Sequence, residues 1–146
     1  MIQVRYPEPE FRRKVEQGKE QIFCIIRKRW LLLTEEEWVR QNFVSFLIHI
    51  AGYPASFIAV EKELQLHELK KRFDILVYDA AHQPWMLVEC KEAAQPLNEQ
   101  VLLQVLGYNL SIPVSYLVIT NGSHTLGWKN IEGKLLQLDT LPRWEK

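Results

Sequence analysis

Apolar and polar positions along this chain alternate mostly with the short period of strands, and switch to helical spacing in two places. Ile22-Phe23-Cys24-Ile25-Ile26, the basic triplet Arg27-Lys28-Arg29 and Trp30-Leu31-Leu32-Leu33 predict two short strands around a basic turn. Thr34 followed by Glu35, Glu36 and Glu37 predicts a helix start, with Thr34 as cap, Glu37 closing a capping box and acids suiting the dipole. Val39, Phe43, Phe46, Leu47 and Ile50 recur at three- and four-residue spacing, so one face of this helix is buried. It should run to about Ala51 and stop at Gly52, with Pro54 just beyond. Strand patterns follow over 57–66, 72–79 and 85–91, and their short loops predict an antiparallel meander. Helical spacing returns from Leu97 to Leu110. Val114 to Thr120, Ser123 to Trp128 and Lys134 to Leu138 then read as strands, with Asn121-Gly122 as a turn. The polar first 21 residues, with Pro7, Pro9 and Gly18, predict an irregular lead-in containing one helical turn, and 139–146 a tail. The expected fold is α/β: a mixed sheet with helices on its faces over residues 22–138, in the order helix-strand-strand-strand-helix-strand.

Composition narrows the function. The chain of 146 residues is one ordinary domain, and its 18 Lys and Arg balance 18 Asp and Glu. A protein that wraps nucleic acid by its overall field is usually far more basic, so any such role rests on a local site. No apolar run reaches the length of a membrane span, and the opening residues lack the apolar stretch of a signal peptide. Two cysteines make neither a disulfide framework nor a metal cluster, and the four histidines show no ligand spacing. A soluble cytoplasmic protein is the expectation.

The chemistry concentrates on two neighbouring strands. Asp74 interrupts the apolar run Phe73 to Val77, and Glu89 and Lys91 close the run Trp85 to Lys91. Residues two apart on a strand share a face, so Glu89 and Lys91 point the same way. A hairpin turning near 80–84 places Asp74 opposite the Glu89 region. Two carboxylates and an ammonium then meet at the edge of an apolar sheet, where unpaired charge is costly. Two carboxylate oxygens, the backbone carbonyl of Cys90 and waters make a hard oxygen site suited to Mg²⁺ or Mn²⁺. The alternative is a structural ion pair of Lys91 with Asp74 or Glu89.

The blocks Glu35-Glu36-Glu37-Trp38-Val39-Arg40-Gln41-Asn42-Phe43, Lys71-Arg72-Phe73-Asp74-Ile75-Leu76-Val77-Tyr78, Val88-Glu89-Cys90-Lys91 and Thr120-Asn121-Gly122 come in a telling order. The chain resembles the PD-(D/E)XK nuclease superfamily, and within it the amino-terminal nuclease domain of type I restriction enzyme R subunits, from about Ile22 to Trp128. The resemblance implies a restriction-endonuclease-like fold and a metal-dependent site cleaving DNA phosphodiesters, with Asp74 and Glu89 as metal ligands and Lys91 as the catalytic lysine. A glutamate from the first helix often joins such sites; Glu36 falls on the stripe of Val39, Phe43, Leu47 and Ile50, whereas Glu37 is expected to point elsewhere. Gln104 and Tyr108, one helical turn apart, resemble the Q-x-x-x-Y signature beside the metal in some superfamily nucleases. Phe73 stands where a proline usually precedes the first acid. Cys24 stands where many stand-alone relatives carry aspartate, which leaves the first hairpin without an expected role in the site.

Three basic clusters could contact a phosphate backbone: Arg12-Arg13-Lys14, Arg27-Lys28-Arg29 and Lys70-Lys71-Arg72. The last leads into the Asp74 strand, which makes Lys71 and Arg72 the substrate-binding candidates. DNA is the expected partner, together with a separate translocase or restriction-system subunit, since no phosphate-cradling loop occurs in the chain. Two rival readings remain open here. One is a non-catalytic nucleic-acid- or protein-binding module on the same fold. The other is an assembly subunit, a homodimer included, that presents the Trp30 to Leu33 strand.

Overall fold

The computed structural model describes residues 1–66, 69–98, 100, 101, 104 and 114–145. Three strands come first: β1 (Arg13–Glu16), β2 (Lys19–Cys24) and β3 (Arg29–Leu32), paired antiparallel in chain order. Helix α1 (Glu35–His49) and a short 3-10 turn (Ala55–Phe57) lead to a six-stranded sheet. Its strands are β4 (Ile58–Leu66), β5 (Leu69–Tyr78), β6 (Pro84–Cys90), β7 (Tyr116–Thr120), β8 (Thr125–Ile131) and β9 (Lys134–Gln137). They lie side by side in chain order, antiparallel throughout except at β6–β7. A parallel pair needs a long crossover, and the 91–115 connection supplies it.

Apolar alternation explains the sheet. Ile75, Val77, Met86, Val88, Cys90 and Val118 face α1 and pack against its Val39, Phe43, Phe46 and Leu47. Leu76, Leu87, Leu117 and Val114 form a second cluster with Phe73. The helix begins as its sequence dictates: Thr34 is extended, and its hydroxyl accepts the Glu37 N–H at 3.0 Å. Acidic residues fill the first turn and His49 the last, both favourable to the dipole. The chain leaves through Gly52 at φ +77°, which a side chain would strain. Thr34→Ala removes one cap hydrogen bond and should lower stability by about 1 kcal/mol in denaturant titration.

The amino-terminal lead-in is irregular over residues 1–12 but differs from its expectation beyond them. Residues 13–16 and 19–21 are strand rather than irregular lead-in, turning at Gln17-Gly18. Ile2 is buried, with its N–H bonded to the Thr125 carbonyl. The tail over residues 139–145 is held to the sheet domain. Tyr53 donates to the Pro142 carbonyl at 2.6 Å, and the Trp144 indole N–H to the Tyr78 carbonyl at 2.9 Å. Most of the expected helix from Leu97 to Leu110 lies outside the described residues. Gln100, Val101 and Gln104 are helical within it, and the Asn98 side chain accepts the Val101 N–H. Among the described residues no helix is long and apolar enough to cross a membrane.

Candidate active site

The site forms where sheet regularity fails. The β5–β6 ladder runs to Ile75 opposite Val88, which makes Asp74 and Glu89 the next residues beyond the last pair. On the other side, β4 pairs Val60 with Ile75 and Lys62 with Phe73, and the rung between, Glu61 with Asp74, is missing. Glu61 holds φ at +51°, a strained conformation for a non-glycine residue inside a strand. Strict alternation breaks here as well. Phe73 packs with Leu76 and Leu87, although two-residue periodicity would group it with Ile75 and Val77. Asp74 is turned toward α1 as a result.

Its carboxylate is held from both sides. The Arg40 guanidinium donates to Oδ1 at 2.8 Å, and the Cys90 N–H donates to Oδ2 at 2.9 Å. Arg40 is itself the hub of a buried network. It donates to Glu37 at 2.8 Å and Glu36 at 3.0 Å, and lies 3.5 Å from Glu61. Arg27, in the turn between β2 and β3, closes the ring by bonding Glu37 at 2.8 Å and Glu61 at 2.7 Å. Gln41 donates to the remaining Glu37 oxygen. Burial alone would disfavour the Arg40 charge, but the Asp74 hydrogen bond and the surrounding carboxylates outweigh it and keep the guanidinium protonated.

Glu89 behaves differently. Burial and the Asp74 carboxylate within hydrogen-bonding reach push its carboxyl up to about 9, with Lys91 pulling the other way. A carboxyl pushed this high keeps its proton at neutral pH, beside an Asp74 carboxylate that already accepts from Arg40. Burial and Asp74 also raise Glu36, at the exposed rim of the site. Among the described residues no three metal-binding side chains cluster. Two carboxylates nonetheless suit Mg²⁺, which commonly takes one or two and keeps several waters. The donors suit such an ion: they are hard oxygens, and a divalent cation would replace the proton on Glu89. Asp74, Glu89 and the Cys90 carbonyl are the groups that could hold it.

The other sequence candidates scatter. Glu37, not Glu36, is the buried glutamate of the first turn, because Arg27 and Arg40 satisfy it; its carboxylate does not close a capping box. Glu36 keeps a rim position, bonded to Arg40 and within the fields of Asp74 and Lys91. Arg72 is exposed in register with Glu63, and Lys71 lies on β5 with its side chain outside the described set. Gln104 is exposed, and Tyr108 lies outside the described residues. Arg27, expected in a basic turn that could contact a phosphate backbone, is 9% exposed within the network, so the first hairpin does reach the site. Arg40 and Glu61 were missed. Each carried a signal: Arg40 follows Glu36 and Glu37 by four and three residues, and Glu61 follows the apolar run Ile58-Ala59-Val60.

Comparison with known families now bears on this geometry. The family described as type I restriction enzyme R protein N terminus matches residues 35–142. The chain belongs to that family. The matched range of this R-protein N-terminal domain includes Arg40, Glu61, Asp74, Glu89 and Lys91, while β1, β2 and β3 precede it. A solved structure from Anabaena variabilis, described as a candidate nuclease of the DUF820 family, is also similar. Identity is 11% with a TM-score of 0.49, over 91% of this chain and 79% of that one. No curated protein matches the chain.

Proposed function

We propose that this domain is a divalent-metal-dependent nuclease that hydrolyses DNA phosphodiester bonds. The observation that carries the reading is the Asp74–Glu89 pair, two carboxylates in contact beside Lys91 at a strained break in the sheet. Mg²⁺ or Mn²⁺, held by Asp74, Glu89 and the Cys90 carbonyl, would supply a Lewis acid and an acidified water. The chain's own groups do the rest. Lys91 offers an ammonium to negative charge developing on the phosphoryl oxygens. Arg40 and the Cys90 N–H fix the Asp74 carboxylate. Glu36, raised by burial and Asp74, is placed at the rim to accept a proton or orient a water. Arg72, exposed on β5 two residues before Asp74, would meet the phosphate backbone, and a separate restriction-system subunit supplies any translocation, in the cytoplasm.

One observation favours a second reading. Arg40 already gives Asp74 a cation, as a structural ion network in a non-catalytic module would. Cleavage separates the two. The purified protein should cut DNA with Mg²⁺ or Mn²⁺ and stop on chelation. Lys91→Ala should lower the rate by about a hundredfold or more with an unchanged melting temperature. Cleavage that survives chelation, or full activity in Lys91→Ala, contradicts the proposal.

A further inference from the structure

Charge is divided unevenly along this neutral chain. Residues 1–33 carry eight Lys and Arg against four Glu, leaving the remainder net acidic. Much of this positive charge lies on the three-stranded sheet. Phe23 pairs with Trp30, and the Phe23 N–H bonds the Arg12 carbonyl, so Arg12, Phe23 and Trp30 form one row across three strands. Lys14, Gln21 and Leu32 form the next row on the same face. Ile22 and Cys24, on the opposite face, are fully buried. The aromatic row therefore faces outward.

Its geometry is specific. The Phe23 and Trp30 rings meet edge to face at 5.4 Å. The Arg12 guanidinium lies over both, 4.8 Å from Phe23 and 5.4 Å from Trp30, and the Lys14 ammonium is 4.5 Å from Trp30. Glu16 pairs with Lys14 and Glu20 with Arg13, but Arg12 has no carboxylate partner among the described residues. Arg12 and Phe23 also line a groove of about 400 Å³ that continues past Phe11 and Ile25 to Gln41 and Ser45 on α1. Lys28 adds a further exposed cation in the β2–β3 turn.

We propose that this face binds single-stranded nucleic acid, with bases stacking on Phe23 and Trp30 and phosphates held by Arg12 and Lys14. Aromatic rings flanked by cations on an open sheet are how sequence-tolerant single-strand surfaces work. A duplex hides its base faces and could use only the cations. The inference names the strand state of the substrate for the proposed nuclease. It stands apart from the metal site, because stacking needs neither Asp74 nor Glu89.

The test is fluorescence anisotropy of a labelled oligothymidylate of about 16 nucleotides, in chelator so that nothing is cleaved. The single strand should bind at least about tenfold tighter than a duplex of equal length, and Trp30→Ala should weaken it at least about fivefold. Arg12→Gln, an exposed change that leaves the fold alone, should reduce the salt slope by about one. Lys129→Gln, exposed on β8, should change nothing. Equal affinity for the duplex, no binding at low salt, or unchanged binding by both the Trp30 and Arg12 variants overturns the inference. Each of those results leaves the cleavage proposal to its own assay.

Discussion

Glu89→Gln will abolish metal-dependent cleavage and, in the same protein, raise the stability of the metal-free fold at neutral pH. The first effect follows from removing one of two anionic oxygen donors, and the rate should fall by about a hundredfold or more. The second follows from proton linkage. The folded Glu89 carboxyl is pushed up to about 9 by burial and by Asp74, against a value of 4.5 in a solvated chain. Between those values the unfolded chain has lost a proton that the folded protein still carries. Stability must therefore fall as pH rises through that window, with a limiting slope of about 1.4 kcal/mol per pH unit. By pH 7 the cost is roughly 3–4 kcal/mol, and glutamine avoids it because it does not ionise. Melting curves from pH 5 to 9 should show the wild type declining while Glu89→Gln stays nearly level. A parallel decline in the two proteins would mean that Glu89 titrates normally.

Arg40→Ala should be the most damaging single substitution on α1, at about 3–5 kcal/mol in denaturant titration. The cost does not come from the value of an ion pair as such. It comes from leaving Asp74 and Glu37, with side chains 13% and 7% exposed, short of their cation. Glu37 and Glu61 would keep Arg27, but Asp74 would retain only the Cys90 N–H. Arg40→Lys preserves the charge and loses the planar fork that serves four carboxylates, so it should recover only part of the loss. Arg29→Ala, exposed on β3, should stay within about 0.5 kcal/mol of wild type. A loss below about 1 kcal/mol for Arg40→Ala would show that the network relaxes or hydrates freely.

The meander and its hairpin register were legible because β4, β5 and β6 bury apolar residues and turn over short loops, which places Asp74 near Glu89. The start of α1 was legible for a local reason, since Thr34 and Glu37 sit within one turn. β1 was not. Its residues Arg13–Glu16 are exposed or half-exposed and are held by pairing with β2 rather than by burial, so no hydrophobic pattern marks them. The buried place of Glu37 was not legible because periodicity assigns inward positions to apolar residues. Here the inward positions include Glu37, Arg40 and Gln41, made tolerable by Arg27, Glu61 and Asp74 from other elements. Partners distant in sequence leave no periodic trace. The strained φ of Glu61 is equally silent in a run that reads as ordinary strand.

A divalent cation bound between Asp74 and Glu89 must displace the proton that Glu89 holds at neutral pH. Calorimetric titration of Mn²⁺ into wild type and Asp74→Asn, in two buffers of different ionisation enthalpy, tests it most directly. The account predicts saturable binding to the wild type with about one proton released per metal at neutral pH, and no binding to Asp74→Asn. Equal binding to both proteins, or binding without proton release, would contradict it.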